Sequence, residues 1–187
     1  MRWDVRAFEL FAPVYDLVML PTDEVALRKG LAVAERELER IVEVGGGSGR
    51  VARTLDATVL DPAEGMLRRA RKRGLKTVRA NATDLPHPDG SIDAVVVVDA
   101  FHHFPEPERC LEEMARVLAP GGVLVLKEFD RSTRRGRLLE TAEALFGFDS
   151  TFYTAGELEA MIERAGLEAR PIEYGFEMTI AGVATGT

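Results

Sequence analysis

From residue 40 onward the chain alternates short apolar runs with segments whose apolar residues recur at helical spacing. Residues 40–44, 57–60, 75–80, 92–98 and 123–128 read as strands. Between them, residues 48–55, 62–73 and 105–118 read as helices. Ser48 stands where it could cap the first of these. Pro62 opens the second at a position that tolerates proline, and Gly74 stops it. The run 92–98 is apolar throughout except for Asp93, as a parallel strand covered on both faces requires. This repeated strand–helix order implies right-handed crossovers and a doubly wound, mostly parallel sheet.

The two ends depart from that rhythm. Residues 5–19 and 22–39 read as two helices separated by Pro21. Past the fifth strand, residues 131–146 and 154–165 read as helices, the second stopped by Gly166. Two β-like runs follow, 168–173 and 176–184, with Tyr174 and Gly175 between them. A link that short joins antiparallel strands, because parallel ones need a crossover. The expected fold is therefore a Rossmann-like α/β domain with a seven-stranded sheet ending in an antiparallel hairpin. Its length of 187 residues fits a single domain spanning 1–187, with a core from 40 onward.

Composition narrows the function classes. A net charge of −7 argues against an extended nucleic-acid surface. No run approaches the apolar length of a membrane span, and the N-terminus lacks a secretory layout, so a cytoplasmic protein is expected. The lone cysteine, Cys110, lies on the apolar stripe of the helix 105–118 and reads as a buried structural thiol; no metal site is expected. Asn81 is the only asparagine, glutamine is absent, and basic residues are overwhelmingly arginine, a pattern that fits a thermophilic origin. The arginine run 68–73 reads as the solvated face of a helix. Arg131, Arg134, Arg135 and Arg137 could meet an acidic substrate or RNA.

The candidate chemistry sits in the first strand–helix turn. Gly45, Gly46, Gly47 and Gly49 follow a buried strand, and in an open α/β sheet ligands bind beyond the carboxyl ends of the strands. Three acids sharpen this. Glu43 lies two residues before Gly45, where it would oppose a pyrophosphate but suit a ligand carrying an ammonium and a sulfonium. Asp61 ends the second strand, placed to accept from both ribose hydroxyls. Asp99 ends the fourth. Together they favour a cationic, ribose-bearing ligand.

Five segments, in order, resemble the class I S-adenosylmethionine-dependent methyltransferases, especially the ubiquinone/menaquinone-biosynthesis branch. These are Val42-Glu-Val-Gly-Gly-Gly-Ser-Gly-Arg50, Leu60-Asp-Pro-Ala-Glu-Gly-Met66, Ala80-Asn-Ala-Thr-Asp-Leu-Pro86, Phe101-His-His-Phe104 and Val117-Leu-Ala-Pro-Gly-Gly122. Phe152-Tyr-Thr-Ala-Gly-Glu-Leu158 adds a sixth. The resemblance implies S-adenosylmethionine as cofactor, with Glu43 and the glycine backbone at its methionine end and Asp61 at the ribose. It places Pro62 and Met66 beside the adenine, the Ala82 N–H on the ring, and Asp99 near the amino group. Position 81 is aspartate by family usage but Asn81 here; its amide oxygen can still accept, and Asp84 is an alternative.

The family layout also makes residues 1–39 a helical lid, with Phe8, Phe11 and above all Tyr15 over the cofactor. Phe146, Phe148, Phe152 and Tyr153 would line a small-molecule acceptor. His102 is the candidate base, with its neighbour His103 pointing elsewhere. Monomer and homodimer both stay open. Two rival readings stand beside methyl transfer. One is a non-catalytic nucleoside-cofactor-binding module. The other is a nicotinamide-dependent oxidoreductase, which Glu43 fits poorly.

Overall fold

The computed structural model describes residues 24–145, 147, 148 and 150–185. The expected helix at 5–19, with Phe8, Phe11 and Tyr15, lies outside them, as does Phe146. Along the chain the elements are α1 (Glu24–Leu31), β1 (Ile41–Val44), α2 (Ala52–Leu55), β2 (Thr58–Asp61), α3 (Glu64–Lys72) and β3 (Thr77–Arg79). Then come β4 (Ile92–Val98), a single 3-10 turn (Phe101–His103), α4 (Pro107–Val117) and β5 (Leu118–Phe129). The described chain closes with α5 (Arg134–Leu145), α6 (Ala155–Arg164), β6 (Leu167–Glu173) and β7 (Glu177–Ala184).

The most apolar strand, β4, takes the middle of the sheet, parallel to β1 on one side and β5 on the other. The seven strands run β3-β2-β1-β4-β5-β7-β6. Only β7 is antiparallel to its two neighbours, so the expected terminal hairpin is present, with β7 inserted between β5 and β6. Strand alternation divides the core. Val95 and Val97 pack with Leu111 and Met114 of α4 and with Leu158 and Ile162 of α6. Ala94 and Val96 face the opposite way, onto Leu27 and Leu31 of α1. Ala52, Leu67 and Ala70 cover Val59 of β2. Cys110 is fully buried, its Sγ 3.2 Å from the Pro105 carbonyl, and burial pushes its thiol up to about 12, so it is structural as expected.

Four local expectations are corrected. Among the described residues, the helix read over 22–39 is limited to Glu24–Leu31. Beyond Leu31 the chain is held by tertiary bonds instead, with the Glu35 N–H donating to the Gly121 carbonyl at 2.8 Å. The helix read from Ser48 begins at Ala52, and Ser48 does not cap it. Glu43 supplies that function from a distance, its Oε2 accepting the Ala52 N–H at 2.8 Å. Pro62 precedes α3 rather than opening it, because Asp61 Oδ1 accepts the Ala63 N–H at 2.8 Å and keeps Ala63 extended. The strand read over 123–128 begins already at Leu118, and its pairing with β4 shifts register between Leu118 and Val123.

At the opposite end of β4 from the glycine turn, Asp93 ties the sheet to the chain that enters it. Its carboxylate, 2% exposed, accepts the Arg40 N–H at 2.8 Å and the Glu39 N–H at 3.2 Å, and pairs with Arg40 Nη2 at 3.1 Å and Arg36 Nε at 2.9 Å. Burial opposes its charge, but the Arg40 guanidinium and these amides hold it below the usual carboxylate range. Asp93→Ala is expected to cost about 2–4 kcal/mol, lowering the melting temperature by roughly 5–15 °C in a calorimetric scan. An unchanged melting temperature would show the tie to be dispensable.

Candidate active site

Four acids converge where the parallel strands end. Glu43 is in β1, Asp61 closes β2, Asp99 follows β4, and Glu128 is near the end of β5. Glu43, Asp61 and Glu128 are 3%, 6% and 2% exposed, which is costly for carboxylates without a counter-cation. They form one electrostatic cluster: the charges of Asp61 and Asp99 both act on Glu43, and that of Glu128 acts on Asp99. Burial pushes Glu43 up to about 8, against the Ala52 N–H and Arg50, which favour its charge. Burial likewise raises Asp61 to about 6 and Asp99 to about 7, Glu128 adding to the latter.

The glycine turn folds around these acids. Gly45 N–H donates to the Leu60 carbonyl at 2.8 Å, and Gly49 N–H to the Gly46 carbonyl at 2.8 Å. Gly46 has no room for a side chain, because a Cβ would sit 2.7 Å from Glu43 Oε2. Gly47 adopts a φ of +53° and donates its N–H to Asp61 Oδ2 at 2.9 Å. The atoms nearest the position a Cβ would take belong to Met66, at an ordinary van der Waals distance of 3.9 Å, so the Gly47 backbone faces Met66. Pro62 is buried. Past β3, Ala82 is buried and Asn81 exposed in one tight turn, where the Asp84 N–H donates to the Asn81 carbonyl at 3.1 Å. The Ala80 N–H bonds the Asp61 carbonyl at 3.3 Å, which sets that turn next to Asp61.

The Rossmann-like fold and this rim of buried acids suit a ribose-bearing ligand that carries positive charge. Asp99 Oδ1 is buried and has no hydrogen-bond partner among the described residues, on a backbone held at a φ of +49°. An ammonium or sulfonium would satisfy that oxygen and relieve the raised carboxyls, whereas a pyrophosphate would meet repulsion. The residues fit S-adenosylmethionine.

Beyond Asp99 the 3-10 turn carries the two histidines. Glu128 organises it: Oε1 accepts the Ala100 and Phe101 N–H groups at 2.9 and 2.6 Å, and Oε2 lies 2.6 Å from His102 Nδ1. The His102 ring stacks on Phe152 with centroids 4.6 Å apart. Burial opposes an imidazolium at His102, but Glu128, aided by Glu143 and Asp99, raises its pKa. His103, beside Ser150 Oγ at 3.1 Å, is driven the other way by burial, down to about 2. Glu128 was not singled out from the sequence. Its one signal there is an acid ending the apolar run Val123-Leu-Val-Leu-Lys-Glu128.

The comparisons agree with this geometry. Residues 42–126 match the methyltransferase-domain family. A phosphatidylethanolamine N-methyltransferase of Cereibacter sphaeroides is 32% identical over 159 residues, covering 78% of this chain and 77% of that protein. A demethylmenaquinone methyltransferase of Thermus thermophilus is 36% identical, covering 65% of this chain and 64% of that enzyme. Another demethylmenaquinone methyltransferase, from Clavibacter sepedonicus, is 39% identical, covering 52% of this chain and 44% of its own length. The chain thus spans less than two thirds of those two enzymes. The crystal structure of a Thermotoga maritima S-adenosylmethionine-dependent methyltransferase, described as a possible histamine N-methyltransferase, superposes with a TM-score of 0.81 at 26% identity. That match covers 98% of this chain and 99% of the other.

The chain belongs to the class I S-adenosylmethionine-dependent methyltransferases, in their small-molecule branch. It is a methyl-transferring enzyme with S-adenosylmethionine as cofactor, and the nicotinamide-dependent and non-catalytic readings give way. No helix among the described residues is long and apolar enough to cross a membrane.

The fit of Glu43 against Gly46 makes Gly46→Ala a direct test of the turn. The added Cβ must displace the carboxylate that caps α2, so thermal or urea denaturation is expected to show a loss of about 1–3 kcal/mol. Wild-type stability would mean that Glu43 moves aside freely.

Proposed function

We propose that the methyl acceptor is a small molecule, handled in the cytoplasm, and that Glu43, Asp61 and Asp99 act together to hold the cofactor. The observation that carries this reading is the unpartnered Asp99 Oδ1 inside a cluster of buried acids. Asp99 accepts the amino group. Asp61 accepts the ribose hydroxyls, exchanging or sharing its bond to the Gly47 N–H. Glu43 keeps its bond to Ala52 and supplies charge behind the turn formed by Gly45, Gly46, Gly47 and Gly49. Pro62 and Met66 flank the adenine, and the Asn81–Ala82 turn meets its edge. Residues 1–187 act as one domain, in which α1 packs on the sheet instead of forming part of a lid.

When bound, the cofactor supplies an electrophilic methyl group for in-line displacement. The chain's own task is alignment and exclusion of water. The half-buried Phe148 and Tyr153 offer apolar surface to an acceptor, with the buried Phe152 stacked behind on the His102 ring. Where that acceptor must lose a proton, His102 takes it at Nε2, with Glu128 fixing the ring through Nδ1. The relatives' names span a quinone precursor, a lipid amine and histamine, so an acceptor panel drawn from those classes is the functional test. Absence of methylated product across ring, amine and hydroxyl acceptors would count against the acceptor-site reading.

Two binding measurements test the roles. Asp61→Ala should weaken S-adenosylmethionine by roughly 1–3 kcal/mol in isothermal titration; unchanged affinity would remove it from the site. The raised acids also predict proton linkage. A cation favours the ionised carboxyls, so binding should release protons from groups poised at about 7 and about 8. Affinity should therefore rise from about pH 6 to about pH 7.5, with net proton release when buffers of different ionisation enthalpy are compared. Net proton uptake on binding would contradict the arrangement.

A further inference from the structure

We infer that His102, His103 and Glu143 form a binding site for one divalent transition-metal ion on the acceptor side of the cleft. One ligand atom from each lies within 4.8 Å of the others, and His102 Nε2 is 3.8 Å from Glu143 Oε1. That separation is too long for a hydrogen bond and too short to be unrelated. Ligand atoms about 2.0–2.2 Å from a shared ion stand roughly 3–3.5 Å apart, so a small closure completes the set. Glu143 can make that movement through its side chain, because α5 buries only Gly136.

Two independent features point to a cation rather than a chance cluster. Glu143 Oε2 is buried and has no hydrogen-bond partner among the described residues. An acceptor left in that state is costly, and a bound cation removes the cost. The second feature is Glu128. It is anchored on two backbone amides and grips His102 Nδ1 at 2.6 Å, leaving Nε2 directed at Glu143. A carboxylate behind an imidazole in this way sets the tautomer and ring angle of a metal-binding histidine and strengthens it as a donor. The Phe152 stack holds the same ring in plane, and Ser150 sits against the His103 ring.

Two imidazoles and one carboxylate suit zinc, cobalt or a related ion and leave coordination positions open for an oxygen or nitrogen of the acceptor. The ion and a proton compete for His102 Nε2, so the metal-loaded enzyme does not use that imidazole as a base. This site goes beyond the cofactor reading and does not depend on it.

The test uses untagged full-length protein stripped with EDTA. Cobalt(II) is titrated while the visible absorption of the bound ion is followed, and zinc(II) is titrated by calorimetry. Saturation at one equivalent is expected, with Glu143→Gln weakening the metal at least about tenfold and Glu128→Gln weakening it about 10–100-fold. S-adenosylmethionine affinity and melting temperature of Glu143→Gln should stay at wild-type values, which separates loss of the metal site from loss of fold or cofactor binding. Absence of saturable cobalt absorption, or equal metal affinity in the wild type and Glu143→Gln, would overturn the assignment.

Discussion

A buried carboxylate pressed against a glycine organises this molecule. Glu43 points from β1 into the space that a side chain at residue 46 would fill, and from there it reaches the first amide of α2. The turn is therefore shaped from below. Its outer backbone, around Gly47, is left facing Met66 and Asp61 rather than the core. The same contact explains why a helix four residues long can hold together, since Glu43 satisfies an amide that no local side chain caps.

That arrangement concentrates negative charge where water is scarce. The acids of β1, β2, β4 and β5 repel one another, and burial keeps several of them partly protonated near neutral pH. The cluster is thus less stable than its hydrogen-bond geometry suggests, and its stability is linked to pH. Glu128 differs from the others because backbone amides and His102 already occupy both its oxygens. It acts as a fastener for the segment after β4, whereas Asp99 keeps an oxygen unused.

What the sequence revealed was governed by local pattern. β4 shows the same limits in sequence and structure because nothing but a strand with two covered faces accounts for its apolar run. The terminal hairpin was legible from the shortness of its link. Features set by contacts between distant residues were not. Ser48 was a reasonable cap by spacing, yet the carboxylate that serves α2 comes from an earlier strand. The helix expected over 22–39 stops at Leu31, where bonding to Gly121 takes over from periodicity. Glu128 and Glu143 gave little sign of their partners, for each meets His102 only after the chain has crossed the sheet.

The placement of β7 bears on how the polypeptide can be assembled during translation. This strand, the last described one, lies inside the sheet, pairing with β5 through Val123 to Phe129 and with β6 on its other flank. Until it emerges from the ribosome, β5 presents an open flank of unpaired amides and carbonyls beside Val123 and Val125. A nascent chain halted before residue 177 would hold the whole glycine turn yet expose a sticky, half-built edge, which chaperones would have to shield until β7 is added.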